Sequence, residues 1–320
     1  MTGIATLTLN PALDLSFEVD RIFPTHKMRG RHERHDPGGG GINVARVFVR
    51  LGGNARCFYL SGGSAGVALD GLLDLHRLVR SRVAIHGETR ISTSVYERES
   101  CGEYRFVTAG PEVSPDEWKA CEALLSEAKG AYLVASGSLP QGVPEDFYAR
   151  VARLAAERGM RFVLDSSGVG LAQGLAGGGV FLVKPSIGEL RDLTGRDLDE
   201  DEAIAEAAGA IVKRGEAQHV AVTMGRDGAL LANAAGALRP SAIQVEAVST
   251  VGAGDSFLAA MVHALDGGWA PAKAFRFGMA AGAAAVLNSG TGLAQAEDIW
   301  RLYRDAFLRR SDKGAGHLSA

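Results

Sequence analysis

From about residue 114 onward the chain switches repeatedly between short apolar runs and amphipathic stretches. "AYLVAS", "RFVLDS", "VFLVKPS" and "HVAVTMG" read as strands, with helical segments between them such as Pro144 to Arg158 and Asp199 to Lys213. A strand that returns parallel to its neighbour needs a crossover, usually a helix. This rhythm therefore predicts an α/β fold: a mostly parallel central sheet covered by helices on both faces. "SPDEW" opens one helix, with Ser114 as N-cap, Pro115 in the first turn and Glu117 at the capping-box position. "GALLANAAGAL" predicts a hairpin. Two helices rich in small residues follow, from about Asp255 to Leu265 and from about Ala274 to Leu287.

The first hundred residues only partly follow this rhythm. "IATLTL" and "ARCFYLSGG" suit the central sheet, and Ile42, Ala45, Phe48 and Val49 give helical spacing up to Gly52 and Gly53. "LSFEVDRIF" alternates like a more exposed strand, and Arg90 to Val107 reads as a hairpin turning near Ser100 to Gly102. These stretches, about 15–35 and 90–107, predict a small β-sheet set against the core as a lid. The expectation is a single domain over residues 1–310 and a disordered polar tail over 311–320.

Composition narrows the function classes. The net charge is −3, which gives no general basic field for nucleic acid. Arg21 to Arg56 is locally basic, either a solvated face or a pocket for an anionic small molecule. Cys57, Cys101 and Cys121 form no CxxC and no zinc spacing, so a cytoplasmic protein is expected. No apolar run suggests a signal peptide or a membrane span.

Ligands of open parallel sheets sit beyond the carboxyl ends of the strands. Asn10, Asp14, Ser136, Ser138, Asp165, Lys184, Thr223 and Gly225 all fall at such ends. "TVGAGDSF" is the sharpest segment, following a strand-like "AIQVEAV" and opening a helix. Gly252, Ala253 and Gly254 leave backbone amides bare for a phosphate. Asp255 is either a helix-terminal carboxylate or a general base. A dinucleotide fingerprint would need glycine where Phe257 stands, and no P-loop pattern is present. Glu189 in "VKPSIGEL" is either a solvent-facing helical residue or a group directing a hydrated Mg²⁺. "VTMGRDGALL" is either a turn or a backbone clamp on phosphates. "DPGGGGINVAR", with four consecutive glycines at a helix start, is a tight turn or an anion site.

Together, "LTLNPALD", "PGGGGINVAR", "SGSLPQGVP", "LDSSG", "VKPSIGEL", "VSTVGAGDSF" and "AAVLNSGT" resemble the ribokinase-like (PfkB) carbohydrate kinase family over roughly residues 3 to 307. Within it, "TLNPALD" with "GGGGINVAR" is similar to the minor-type ATP-dependent 6-phosphofructokinases. The resemblance implies a ribokinase-like three-layer sandwich with a β-sheet lid. It implies Asp255 as catalytic base, with Gly252, Ala253 and Gly254 as anion hole. It implies a sugar floor of Gly38, Gly39, Gly40, Gly41 and Asn43, with Asp14 near the sugar hydroxyls. Lys27, Arg29 and Arg90, with Ser138 nearby, would hold the sugar phosphate. Lys184, Ser186, Thr223, Gly225, Gly228 and Asn288 would lie on the ATP side. Glu189 would handle Mg²⁺ through water, and carbonyls around Ser249, Val251, Asn288 and Gly290 would hold K⁺. Ser186 stands where the family's NxxE motif has asparagine, and Gly40 where kinases for other ketose phosphates typically have lysine.

The implied reaction is Mg-ATP phosphorylation of fructose 6-phosphate at the carbon-1 hydroxyl, by a homodimer formed through the lid. Alternatives are 1-phosphofructokinase or tagatose-6-phosphate kinase activity. A dinucleotide-dependent oxidoreductase and a non-catalytic sugar-phosphate sensor are more remote. No nucleic-acid or membrane partner is expected.

Overall fold

The computed structural model describes residues 3–288 and 290–308. Its strands are β1 (Ile4–Thr8), β2 (Ala12–Val19), β3 (Arg31–Gly38), β4 (Ala55–Ser61), β5 (Val79–Ala84), β6 (Arg90–Glu97), β7 (Gly102–Val107), β8 (Tyr132–Ser136), β9 (Arg161–Asp165), β10 (Val180–Val183), β11 (Ala217–Thr223), β12 (Ala229–Asn233) and β13 (Gly236–Leu238). Its helices are α1 (Gly40–Arg50), α2 (Gly63–Leu75), α3 (Pro115–Leu125), α4 (Phe147–Glu157), α5 (Gly168–Ala176), α6 (Ile187–Thr194), α7 (Asp201–Lys213), α8 (Ala253–Asp266), α9 (Pro271–Ala285) and α10 (Ala296–Tyr303).

Nine strands form the central sheet in the order β13-β12-β11-β10-β9-β8-β1-β4-β5. All are parallel from β11 through to β5, and the expected hairpin β12–β13 adds an antiparallel edge. The inner strands are apolar along their whole length because both faces are covered. On β8, Tyr132 and Val134 enter one core layer while Leu133 and Ala135 enter the other. The first layer is filled by α1, α8, α9 and α10, the second by α3, α4, α5 and α7. This is the expected three-layer sandwich. Helix α3 begins as its sequence dictates: Ser114 and Glu117 form a reciprocal capping box, with Pro115 at the first turn.

The second sheet has the order β3-β2-β6-β7. Strand β2 pairs parallel with β6 from Ala12↔Arg90 to Val19↔Glu97, and β6–β7 is the expected hairpin. This sheet begins where β1 ends, so Asp14 and Arg90 stand at its root, beside the carboxyl edge of the central sheet. One expectation fails. "AIQVEAV" is not a strand; residues 240–247 carry no regular structure. Ile243 and Val245 pack against the core, but the sheet already ends in the three-residue β13, which leaves the segment little backbone to pair with.

Among the described residues no helix is long and apolar enough to cross a membrane. The expected tail at 311–320 lies outside the described residues.

Candidate active site

The glycine run divides between two elements. Gly38 ends β3, Gly40 and Gly41 open α1, and Gly39 alone is the joint, at φ +113°. That backbone is strained for any residue with a Cβ. Each glycine is bare for its own reason. A Cβ on Gly38 would collide with the Asp14 carboxylate, and one on Gly40 with Ser136 Oγ. One on Gly41 would come within 2.6 Å of the Leu7 carbonyl oxygen. Of the four glycines expected to floor a sugar pocket, Gly39 and Gly40 line the adjoining cavity, while Gly38 and Gly41 pack against β2 and β1.

The cavity encloses about 270 Å³ between the carboxyl edge of the central sheet and the root of the lid. Asp14, Asn43, Arg90, Ser138, Glu189, Val251, Gly252 and Asp255 line it, as do Ser136 and Asp165. Asp255 sits in the first turn of α8, whose N-cap Gly252 is left-handed. The hydrogen bond of its carboxylate reaches outside the helix: Asn43 Nδ2 donates to its Oδ2 over 2.9 Å. Burial pushes the Asp255 pKa up to about 6 and nearby Asp165 adds to this, while the Asn43 bond, Lys184 and Arg105 pull it back. At neutral pH the group is therefore mostly an ionised, modestly basic carboxylate, suited to accepting a proton.

Lys184 follows β10 and is buried, with Nζ 3.0 Å from Asp165 Oδ1. Burial disfavours its charge, but Asp165, with Asp255 and Glu189, outweighs that and raises its pKa. Its Nζ also stands 3.2 Å from where a Cβ on Gly254 would be. The ammonium thus covers the N-terminus of α8, where the amides following Gly252 point outward. A cation and a helix N-terminus together favour a phosphoryl group.

At the lid side, Arg90 donates to the carbonyls of Thr108 (3.0 Å) and Asn10 (2.9 Å), which aim it along the wall. Asn10 holds the Ala109 carbonyl and reaches Ser138 Oγ. Burial pushes the Asp14 pKa up to about 7 against the pull of Arg105, Arg46 and Arg90. Arg105, on β7, also lines the cavity and was missed by sequence reasoning. Its alternating strand "EYRFV" does not reveal which face meets the core. Lys27 and Arg29 stand outside the cavity, exposed on the segment between β2 and β3, and are not brought to the other phosphate candidates within this chain.

The residues expected on the nucleotide side follow the same sheet edge. Ser186 caps α6 in a capping box with Glu189, whose Oε2 accepts the Ser186 amide over 2.7 Å. Thr223 ends β11 and bridges to Ser186. Gly225 and Gly228 both have positive φ in the turn to β12. Ser249 Oγ accepts from Val251 N (3.3 Å) and stands 3.1 Å from both the Gly290 carbonyl and Glu103 Oε2 of the lid, either of which can take its one hydroxyl proton. Asn288 instead turns its amide back onto the carbonyls of Ala284 and Ala285. Among the described residues no three His, Cys, Asp or Glu side chains gather as a metal cage.

Comparison with known proteins gives a consistent picture. The family described as pfkB family carbohydrate kinase matches residues 7–298. The ATP-dependent 6-phosphofructokinase isozyme 2 of Mycobacterium tuberculosis (strain H37Rv) is 42% identical over 302 residues, covering 94% of this chain and 88% of the relative. The protein of that name from Escherichia coli (strain K12) is 39% identical over 311 residues, covering 97% and 100%. The crystal structure of Escherichia coli phosphofructokinase-2 in complex with fructose-6-phosphate superposes with a TM-score of 0.90 at 36% identity, covering 96% of this chain and 99% of that one.

Proposed function

The chain belongs to the pfkB family of carbohydrate kinases, and from that premise we propose that it transfers the terminal phosphoryl group of ATP to the carbon-1 hydroxyl of fructose 6-phosphate. The observation that carries this is the placement of Asp255. From the head of α8 it lines the same cavity as Arg90 and Arg105. The arginines suit the phosphate already on the sugar, since guanidinium donors match phosphate oxygens. The sugar's carbon-1 hydroxyl then lies toward Asp255. Its oxygen forms a bond to the γ-phosphorus, the bond from that phosphorus to ADP breaks, and the hydroxyl proton passes to the Asp255 carboxylate. Such transfers depend on positioning and on charge stabilisation. The amides at the head of α8 and the Lys184 ammonium supply that stabilisation at the transferring group.

The carboxylates of Asp165 and Glu189 in the cavity wall suit a hard cation held through water. Ser186 caps α6 and bonds reciprocally with Glu189, which holds Glu189 in place. Magnesium arriving with the nucleotide would neutralise phosphate charge there. Ser249, Val251 and Gly290, already gathered by hydrogen bonds, form the part of the sequence-predicted potassium set that comes together.

A panel of ketose phosphates with Mg-ATP tests this reading. The highest kcat/KM is expected for fructose 6-phosphate. A preference for fructose 1-phosphate or tagatose 6-phosphate would assign the site to the related kinases instead.

The working unit is proposed to be a cytoplasmic homodimer joined through the lid. Ile91, Tyr104, Phe106 and Val107 expose 42–59% of their surface on β6 and β7, and edge strands of this kind need a cover. Light scattering at micromolar concentration should give the dimer mass; a monomer would contradict it.

A further inference from the structure

We infer that Arg46 is a positioning residue: it fixes which way round the Asn43 carboxamide sits, and so keeps an N–H, rather than a carbonyl, against Asp255. The inference deepens the phosphoryl-transfer reading above and rests on Asp255 being the base. A carboxamide has a donor end and an acceptor end of nearly the same shape. Asn43 Nδ2 meets Asp255 Oδ2 at 2.9 Å, and Asn43 Oδ1 meets Arg46 Nη1 at 3.3 Å. A guanidinium can only donate and an ionised carboxylate can only accept. Flipping the amide would set N–H against N–H at one end and oxygen against oxygen at the other. Ionised Asp255 selects this orientation too, but a protonated Asp255 could as readily donate to a flipped Asn43 oxygen; Arg46 disfavours that flip in both protonation states, and so favours the ionised base.

Arg46 can do this because it is itself held. Its side chain is 1% exposed. Nη1 also donates to the Pro37 carbonyl (3.1 Å), and Nη2 donates to Asp36 Oδ1 (2.8 Å). Asp36, 3% exposed, accepts further from Thr291 Oγ1 (2.7 Å) and pairs with Arg34. Burial disfavours the Asp36 charge, but the Thr291 hydroxyl with Arg46 and Arg34 outweighs it and keeps its pKa low. The relay runs Thr291–Asp36–Arg46–Asn43–Asp255. It joins the loop after α9 to β3, α1 and the head of α8, so the sugar-side and nucleotide-side walls share one polar connection. It also leaves Asp255 Oδ1 as the oxygen for the substrate hydroxyl.

The other groups facing Asp255 come from different elements. Asp165 ends β9, Lys184 follows β10, Arg105 lies on β7, and Glu189 of α6 lines the same cavity, with Asp14 and Arg90 at the lid root. None of them bonds Arg46, so a change at position 46 reaches the base through Asn43.

The test is a carbon-13 NMR titration of the Asp255 carboxyl in the full chain. It compares wild type with Arg46→Lys, and repeats the comparison in an Asn43→Ala background. Lysine keeps the charge, but its three N–H groups share one nitrogen, which cannot stand at both the Nη1 position beside Asn43 and Pro37 and the Nη2 position beside Asp36. The wild-type midpoint is expected at about 6. Arg46→Lys should raise it by about one pH unit, the size of a lost hydrogen bond to a charged group. The acid limb of kcat should move upward with it, because the base must be ionised to act. In the Asn43→Ala background the same exchange should add no shift. If Arg46→Lys does not fold, Asp36→Asn with Arg46→Met removes both buried charges together and should give the same rise. An unchanged midpoint in a folded variant overturns the inference, and so does an equal shift without Asn43. A wild-type chain that fails to phosphorylate fructose 6-phosphate would overturn the proposed function, while the carboxyl titration still decides this inference.

Discussion

Replacing Asp255 with Asn should leave fructose 6-phosphate binding nearly intact and lower kcat by at least ~10²-fold, the usual scale for a lost general base. The geometry favours a clean experiment. The new carboxamide can turn its own oxygen to Asn43 Nδ2, keeping the 2.9 Å contact that locates the side chain. What it cannot do is accept the hydroxyl proton. Helix α8 should persist, because the native carboxylate's hydrogen bond goes to Asn43 of α1 rather than within its own helix. If Asp255 were only a charge placed at a helix N-terminus, its loss would cost about 0.3–1 kcal/mol of stability and leave turnover alone. Calorimetric titration with fructose 6-phosphate and initial rates with saturating Mg-ATP separate the two cases. A kcat within a few-fold of wild type would remove Asp255 from the reaction.

The central sheet was legible because burial on both faces writes itself into sequence as short apolar runs separated by amphipathic stretches. "AIQVEAV" carried the same local signal and misled. Alternation reports that one face of a segment is covered, as Ile243 and Val245 are, but not that a neighbouring strand exists to pair with. The bare helix start at the head of α8 was legible for a related reason. "GAGD" joins bare amides and a carboxylate within four residues, so its chemistry is local. Arg105 and the Asp36–Arg46 pair were not legible. Arg105 is one cation on an exposed strand, and its role appears only when the lid sheet sets β7 across from α8. Arg46 reads as another member of a basic run until folding buries it beside Asp36, ten residues earlier. Lys27 and Arg29 show the converse: their charge was plain in the sequence, yet the fold leaves them on the outside of the cavity.

Gly40→Ala should reduce kcat/KM for fructose 6-phosphate by roughly 10²-fold, the scale on which small displacements of reacting groups act. The added methyl would collide with Ser136 Oγ and lie 3.0 Å from Ser136 Cβ and 3.2 Å from its carbonyl carbon. Ser136 can swing its hydroxyl away only by giving up the 3.1 Å bond to Asp165 Oδ2. Asp165 also holds Lys184 at 3.0 Å, so that movement loosens the group lying over the head of α8. If Ser136 stays, the start of α1 must retreat instead, and Asn43, one turn along, withdraws from Asp255. Either route misplaces the transferring group relative to the base. Ser136→Gly in the Gly40→Ala background removes the colliding atoms and should restore part of the loss, whereas the two changes would simply add if the fault lay elsewhere. Wild-type kcat/KM in Gly40→Ala would show that the helix start yields without cost. A bare position 40 is therefore not open space. The space there is filled by Ser136 rather than left open to substrate, so a lysine of the kind found in kinases for other ketose phosphates could enter only after position 136 had given way. Substrate choice at this corner is then a property of residues 40 and 136 together.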